Sequence, residues 1–135
     1  MKQRLHNWLR DQGHEIVDFG APSADVSVEY PDVAFAVADA VGKSAYERGI
    51  LICGTGIGMS IAANKVHGVR AANCHDGITA ELSRRHNNAN IICLSADLLG
   101  EDEAERIISL FLSTDFEQGR HQRRIEKIHA FEAES

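Results

Sequence analysis

The amino-acid sequence predicts an α/β protein in which a parallel sheet lies between two layers of helices, a three-layer α/β/α arrangement. Short apolar runs alternate along the chain with longer segments of helical character, and four of these runs have the length of strands. Residues 50–52 are apolar without interruption, which is typical of a strand buried on both faces. Strands that alternate with helices in this way form parallel sheets with helices on both sides.

The first third of the chain predicts a helix, a strand and a second helix. Leu5, Trp8 and Leu9 recur at helical spacing, and Gly13 is placed to end that helix. The next apolar run, residues 15–19, is predicted to be a strand. An alanine-rich segment then predicts a helix, and Pro31 lies near its first turn, where proline is tolerated.

The rest of the chain alternates regularly between strands and helices. The strand at residues 50–52 leads through a glycine-rich turn into a helix. Further strands are predicted at 69–74 and 89–94, and helices at 33–41, 60–65, 77–85, 101–112 and 119–131. Ligands bind beyond the carboxyl ends of parallel strands, so the residues that follow the strands are the first candidates for a site.

The composition predicts one soluble globular domain over residues 1–135, because 44% of the residues are hydrophobic and 25% are charged. A net charge of −6 argues against nucleic-acid binding, which needs a basic surface. No apolar run approaches the roughly 20 residues that cross a membrane, and the first residues lack a signal peptide's apolar core. The three cysteines form no CxxC pair, which favours free thiols in a reducing compartment. We therefore expect a cytoplasmic protein without membrane or nucleic-acid partners.

The glycine-rich turn after the central strand begins with a cysteine. Its glycines, Gly54, Gly56 and Gly58, lie between a strand and a helix, where backbone N–H groups and the helix dipole favour negative charge. The turn lacks the Gly-Lys-Ser/Thr of an ATP-binding loop. Two interpretations are open for Cys53. It is either a thiolate base or nucleophile, since thiols near helix N-termini ionise readily, or a small buried apolar residue.

Two polar segments outside this turn are further candidates. Arg120 and Arg124 lie on one helical face, which suits a phosphate but is also common on a solvated helix. His86 lies among asparagines between a helix and a strand, where it serves either proton transfer or the turn itself. His75 and Asp76 have no second spaced pair of ligands, so no metal site is predicted.

Several motifs, in order along the chain, resemble the ribose-5-phosphate isomerase B family, which includes galactose-6-phosphate and allose-6-phosphate isomerases. The motifs lie at residues 49–65, 70–72, 74–76, 83–90 and 119–124, with shorter matches at 18–20 and 29–32. The resemblance covers practically the whole chain. It implies a Rossmann-like sheet and an aldose–ketose isomerase that needs no metal or organic cofactor.

The resemblance also implies roles for individual residues. Cys53 is the expected base that moves a proton between C1 and C2 of a sugar phosphate, Thr55 lies beside it, and His86 opens the sugar ring. The remaining expected substrate contacts are Tyr30, Gly54, Gly56, Ile57, Gly58, Asn87, Arg120 and Arg124. The family builds its site in a cleft shared by two subunits, so a homodimer or tetramer is expected.

The chain departs from the family pattern at two places. Members usually begin with a strand and an Asp-His-Ala-Gly-like turn, whereas this chain begins within the helix that follows them. The strand that is missing would lie beside the strands of Ile16 and Ile50. Asp97 lies where relatives commonly carry an arginine near the phosphate, and a carboxylate there repels phosphate.

These departures leave more than one function open. The first hypothesis is conversion of ribose 5-phosphate to ribulose 5-phosphate through an enediolate. The alternatives are an isomerase of a six-carbon substrate, allose or galactose 6-phosphate, and a non-catalytic phosphosugar-binding member of the family. A nucleotide-binding domain would rest on the glycine turn alone.

Overall fold

A three-stranded parallel sheet forms the centre of the computed structural model, which describes residues 1–20 and 28–135. The strands are β1 (Gly49–Cys53), β2 (Ala71–Asn73) and β3 (Ile91–Ser95), in the spatial order β1-β3-β2. The helices are α1 (Lys2–Asp11), α2 (Tyr30–Gly42), α3 (Ile57–Ala63), α4 (Gly77–Arg85), α5 (Glu101–Ser113) and α6 (Arg120–Ala133). Among these described helices, none has the length and apolar character that crossing a membrane requires.

The central strand β3 is buried along its whole length. It pairs in parallel with both neighbours, and on the β1 side Gly49 lies opposite Ile91 and Cys53 opposite Ser95. A parallel strand covered on both faces has no side in water, which explains why β3 is composed almost entirely of apolar residues.

Helices cover both faces of the sheet, which confirms the predicted three-layer arrangement. One core joins α1, α4 and α5 to the sheet face of Ile92 and Leu94, and its Phe111 is fully buried. The other core joins α2 and α3 to the face of Leu51 and Ile91. The alternation of side chains along β3 therefore supplies both cores from one strand.

The strand predicted at residues 15–19 is not formed. Residues 14–19 follow α1 as irregular chain, and no strand in the described part of the protein pairs with the outer edge of β1. An isolated strand is unstable because its backbone groups need a neighbouring strand. Residues 15–19 and β1 instead line a groove of about 570 Å³, which includes Ile16 and Ile50.

The other predicted elements form with shifted ends. α2 begins at Tyr30 and so contains Pro31 in its first turn. α3 begins at Ile57, directly after the glycine turn, three residues earlier than predicted. β2 has only three residues, because the chain before Ala71 follows a turn rather than the sheet.

Candidate active site

Cys53 ends β1 at the carboxyl edge of the sheet, and its thiol is free and partly exposed. The N–H of Gly56 donates to Cys53 Sγ at 3.1 Å. Cys53 is also one of the residues that line the groove beside β1. A thiol that is partly exposed is accessible to a substrate, whereas a buried thiol is inert. These features favour the chemical interpretation of Cys53 over the structural one.

The turn after Cys53 depends on the glycine at position 56. Gly56 has φ +82°, a left-handed backbone that favours glycine. A Cβ there would lie 2.6 Å from Asn73 Oδ1 and 3.1 Å from the backbone carbon of Leu94. The N–H of Ile57 donates to Thr55 Oγ1 at 3.2 Å, which satisfies one of the free N–H groups at the start of α3. The turn is thus held tightly against β2 and β3.

Tyr30 covers the turn from α2. A Cβ at Gly58 would lie 2.5 to 2.8 Å from the edge of the Tyr30 ring and its hydroxyl, so only glycine allows this contact. Tyr30 is 48% exposed and also lines the groove beside β1, as Cys53 does. The expected sugar-pocket residue and the expected anion-binding turn therefore lie together.

Asp97 approaches the turn from the other side. Its Oδ2 lies 3.0 Å from the Cβ position of Gly54, and its backbone N–H donates to Gly54 O at 3.1 Å. Ser95 Oγ donates to the same carbonyl at 2.6 Å and fixes this loop to the end of β3. The carboxylate that departs from the family pattern therefore lies directly beside the candidate anion site.

His86 belongs to a second cluster, which forms where α4 ends and α6 begins. Its ring stacks on the ring of His121, with centroids 4.2 Å apart and planes at 11°. Glu117 Oε1 lies 4.0 Å from His86 Nε2 and 3.7 Å from His121 Nε2, and the same carboxylate forms an ion pair with Arg85. Burial lowers the pKa of His121, and the nearby His86 and Arg120 lower it further. His121 therefore favours its neutral form.

The two predicted phosphate ligands lie on the exposed start of α6. Arg120 and Arg124 line a shallow cavity of about 250 Å³ together with Arg123 and Lys127. Asn87 is exposed in the turn that follows α4. Four cationic side chains around one concavity attract an anion, and phosphate binding by Arg120 and Arg124 stays a prediction.

One chain does not bring the two clusters together. Cys53 is the last residue of β1, whereas His86 precedes the amino end of β3. The five residues of β3 advance about 13 Å along the strand, so the two clusters lie at opposite ends of the parallel strands. Each chain therefore presents a thiol with its anion-binding turn at one edge and a histidine with a basic surface at the other.

His86, Glu117 and His121 also have the residue types of a metal site. Their candidate ligand atoms lie within 4.8 Å of one another, the one such group found in the described part of the chain. The two imidazole rings are stacked and do not converge on one point, and the Glu117 carboxylate already forms an ion pair with Arg85. With Arg120 close by, the cluster suits an anion better than a cation.

Three residues of these clusters, His121, Glu117 and Asn73, have no role predicted from the sequence. His121 lies between Arg120 and Arg124 in a motif that was recognised, so the signal for it was present. Glu117 and Asn73 carry no local signal, because they approach the sites only through the packing of their elements.

Comparisons with known proteins agree with one another. Residues 1–128 match the family described as Ribose/Galactose Isomerase. A probable ribose-5-phosphate isomerase B from Mycoplasma genitalium is 46% identical over 136 residues, which cover 100% of this chain and 90% of the relative. A D-erythrulose-4-phosphate isomerase from Pectobacterium atrosepticum is 41% identical over 132 residues, 98% of this chain and 87% of the relative. The crystal structure of ribose-5-phosphate isomerase B from Mycoplasma genitalium with bound ribulose-5-phosphate matches with a TM-score of 0.95 and 46% identity, over 99% of this chain and 89% of that one.

Proposed function

The chain belongs to the ribose/galactose isomerase family and is a sugar-phosphate isomerase, and on this premise we propose that it converts ribose 5-phosphate to ribulose 5-phosphate with Cys53 as the base. The observation that carries the proposal is the partly exposed thiol of Cys53, whose sulfur accepts the N–H of Gly56 at 3.1 Å. A base that removes a proton from carbon needs access to the substrate and support for its charged form. This thiol has both.

The proposed reaction moves one hydrogen within the substrate. In the open-chain aldose, the thiolate of Cys53 removes the C2 proton, and the electron pair passes into the C1 carbonyl to give an enediolate. The thiol returns the proton to C1 while the O2 proton moves to O1, so that the C2 carbonyl of the ketose forms. The hydroxyl of Thr55, two residues after Cys53 in the chain, is assigned to the O2-to-O1 proton transfer. No external oxidant or reductant takes part.

The turn is proposed to stabilise the enediolate oxygens. The first N–H groups of a helix have no partner within the helix. In α3 these include the N–H groups of Gly58 and Met59. Backbone donors aimed at a developing oxyanion contribute several kcal/mol, typically about 3–4 per donor. Gly54, Gly56 and Ile57 complete the turn, and the Tyr30 ring covers it. The substrate carbons would lie between this ring and the sulfur.

Ring opening and phosphate binding are assigned to a second copy of the chain. His86, Asn87, Arg120 and Arg124 lie at the sheet edge opposite Cys53, out of reach of the same chain's thiol. A symmetric dimer brings unlike surfaces of two copies together twice, so each cleft would receive one thiol and one basic cluster. This arrangement supports the expected homodimer, or a tetramer built from such dimers.

Asp97 supports a second candidate substrate. Its carboxylate lies beside the turn at Gly54, where it accepts hydrogen bonds from sugar hydroxyls but repels a phosphate. The substrate phosphate must then bind at a distance from this turn. A longer, six-carbon substrate such as allose or galactose 6-phosphate also satisfies this condition. The relative from Pectobacterium atrosepticum carries the name of an isomerase of a four-carbon sugar phosphate. The comparison of kcat/KM for four-, five- and six-carbon sugar phosphates decides between these substrates.

The base is tested by measuring ribulose 5-phosphate formation with the wild-type protein and with Cys53→Ala. We expect the variant to lose at least about a hundredfold in kcat while it still binds ribose 5-phosphate, because proton transfer by a positioned base contributes about 10² to 10⁴. Cys74→Ala is the matched control, since Cys74 is a buried thiol that directly follows β2 at the same end of the sheet. Equal turnover by wild type and Cys53→Ala would exclude Cys53 as the base. Binding without turnover by the wild type would favour the non-catalytic alternative.

The shared cleft is tested by mixing two inactive variants. Cys53→Ala and His86→Asn damage different halves of the proposed site, so a mixed dimer keeps one intact cleft. Random reassortment of equal amounts should restore about a quarter of the wild-type activity. Each variant refolded alone is the control. A mixture that stays inactive would show that each chain builds its own site.

A further inference from the structure

The carboxylate of Glu117 is held at the end of α4 by Arg85. The N–H of Glu117 donates to the carbonyl of Arg85 at 3.0 Å, and Glu117 Oε2 forms an ion pair with the Arg85 side chain. The hydrogen bond from Arg85 lowers the pKa of Glu117 below its ordinary value, so this group is ionised near neutral pH. A negative charge with two attachments to one residue has a defined position.

The backbone between Glu117 and α6 has an unfavourable conformation. Gln118 has φ +64° and Gly119 has φ +59°, so two left-handed residues directly precede the helix. A left-handed backbone is unfavourable for a residue with a Cβ, and such positions are concentrated at functional sites. The result of this turn is that the start of α6 brings His121 next to the carboxylate.

The second oxygen of Glu117 lies beside both stacked rings. Its Oε1 is 4.0 Å from His86 Nε2 and 3.7 Å from His121 Nε2. Burial lowers the pKa of His121, so this ring favours its neutral form. Two positive rings with centroids 4.2 Å apart would repel each other, so the stack accommodates one charge. His86 is the ring that carries it, because its side chain is 36% exposed and that of His121 only 9%.

Ring opening requires a histidine that gains a proton and then returns it. In the proposed function, His86 takes the proton of the anomeric hydroxyl, and the C1 carbonyl forms as the bond between C1 and the ring oxygen breaks. The electron pair of that bond passes to the ring oxygen, which receives the proton from His86. Between these steps the imidazole is positively charged. A fixed carboxylate beside a catalytic histidine stabilises such a charge and orients the ring.

We infer that Glu117 is a positioning residue for ring opening, which orients His86 and stabilises its positively charged form. This inference rests on the proposed function, in which His86 opens the sugar ring. Glu117 acts through His86. Arg85, His86 and Glu117 belong to one chain, so this unit is already assembled before a second copy supplies the thiol.

Exchange between the α and β anomers of ribose 5-phosphate measures ring opening separately from isomerisation, because the anomers interconvert through the open chain. The Cys53→Ala protein is the parent, since it keeps the ring-opening residues and lacks the proposed base. NMR saturation transfer at a saturating concentration of ribose 5-phosphate gives the catalysed exchange rate, and a titration gives the Kd. We expect the parent to accelerate the exchange and His86→Asn in the same background to abolish the acceleration.

Two further variants in this background separate the charge beside His86 from the ion pairs of Arg85. Glu117→Gln removes the charge and keeps the size of the side chain. Glu81→Gln is the matched control, because Glu81 forms a second ion pair with Arg85 at 3.4 Å. We expect Glu117→Gln to slow the catalysed exchange at least about tenfold with an unchanged Kd, because both the charge and the orientation of the ring are lost. Glu81→Gln should keep the parent's rate and Kd.

Three results would overturn the inference. The first is a parent that does not accelerate the exchange. The second is a Glu117→Gln rate equal to that of the parent, or equal to that of a slowed Glu81→Gln. The third is a Kd that rises in proportion as the rate falls, because Glu117 would then support the binding surface as a whole. A wild type that forms no ribulose 5-phosphate, beside a parent whose exchange depends on Glu117, would refute the proposed reaction and leave this inference standing.

Discussion

Gly56→Ala is expected to destabilise the protein because position 56 combines a left-handed backbone with crowded surroundings. The residue has φ +82°, and an added Cβ would lie 2.6 Å from Asn73 Oδ1 and 3.1 Å from the backbone carbon of Leu94. A left-handed backbone costs a residue with a Cβ about 1–2 kcal/mol. Overpacking adds about 1–3 kcal/mol, and the buried backbone of β3 leaves little room for relaxation. The free energy of unfolding should therefore fall by roughly 2–5 kcal/mol.

Two further glycines separate the contributions in this prediction. Gly13 has φ +93° with nothing within 4 Å of an added Cβ, and Gly100 has φ −74° with equally open surroundings. Urea unfolding of the three alanine variants should show almost no loss at Gly100, about 1–2 kcal/mol at Gly13, and the largest loss at Gly56. Equal losses at Gly13 and Gly56 would refute the contribution of crowding. No loss at either would refute the backbone contribution as well.

Three further predictions concern the thiols, the buried histidine and the connection between α3 and β2. Ellman's reagent should react quickly with one thiol per native chain, and Cys53→Ala should remove it. Cys74 and Cys93 should react only after unfolding, because burial raises the pKa of both thiols, that of Cys93 to about 12. Burial lowers the pKa of His121 below its ordinary value of 6.5, so the unfolded chain binds more protons just below that pH. Stability should be complete above about pH 6.5 and fall as the pH drops through the folded-state pKa, and urea unfolding of His121→Asn between pH 5 and 8 should show a weaker fall. Asn64→Ala should lower the free energy of unfolding by about 1–3 kcal/mol, because its side chain makes two 2.9 Å hydrogen bonds to the backbone of β2, and an unchanged urea midpoint would contradict this.

The fold class could be predicted because its signals are local. Uninterrupted apolar runs indicate buried parallel strands, and their alternation with helices defines the layers. The strand at residues 15–19 could not be judged in the same way. Its apolar residues resemble a strand, but a strand forms only when a neighbour accepts its hydrogen bonds, and no strand of the described residues pairs with it.

The residues of the candidate site show the same difference between local and long-range signals. The glycine turn and Cys53 were recognisable because a strand, a turn and a helix follow one another directly in the chain. The role of Asn73 at the turn was not, because it reaches Gly56 from a different strand. The stacking of His86 on His121 depends likewise on how α4 and α6 pack.

The sequence by itself determined the class of the fold, a parallel sheet between two layers of helices, and which side chains have the chemistry for proton transfer or phosphate binding, because periodicity and side-chain chemistry are properties of neighbouring residues. Only the tertiary structure decided that Cys53 and His86 lie at opposite edges of the sheet and that a groove borders β1. These are distances between residues far apart in the chain, and they are set by the pairing of strands and the packing of layers.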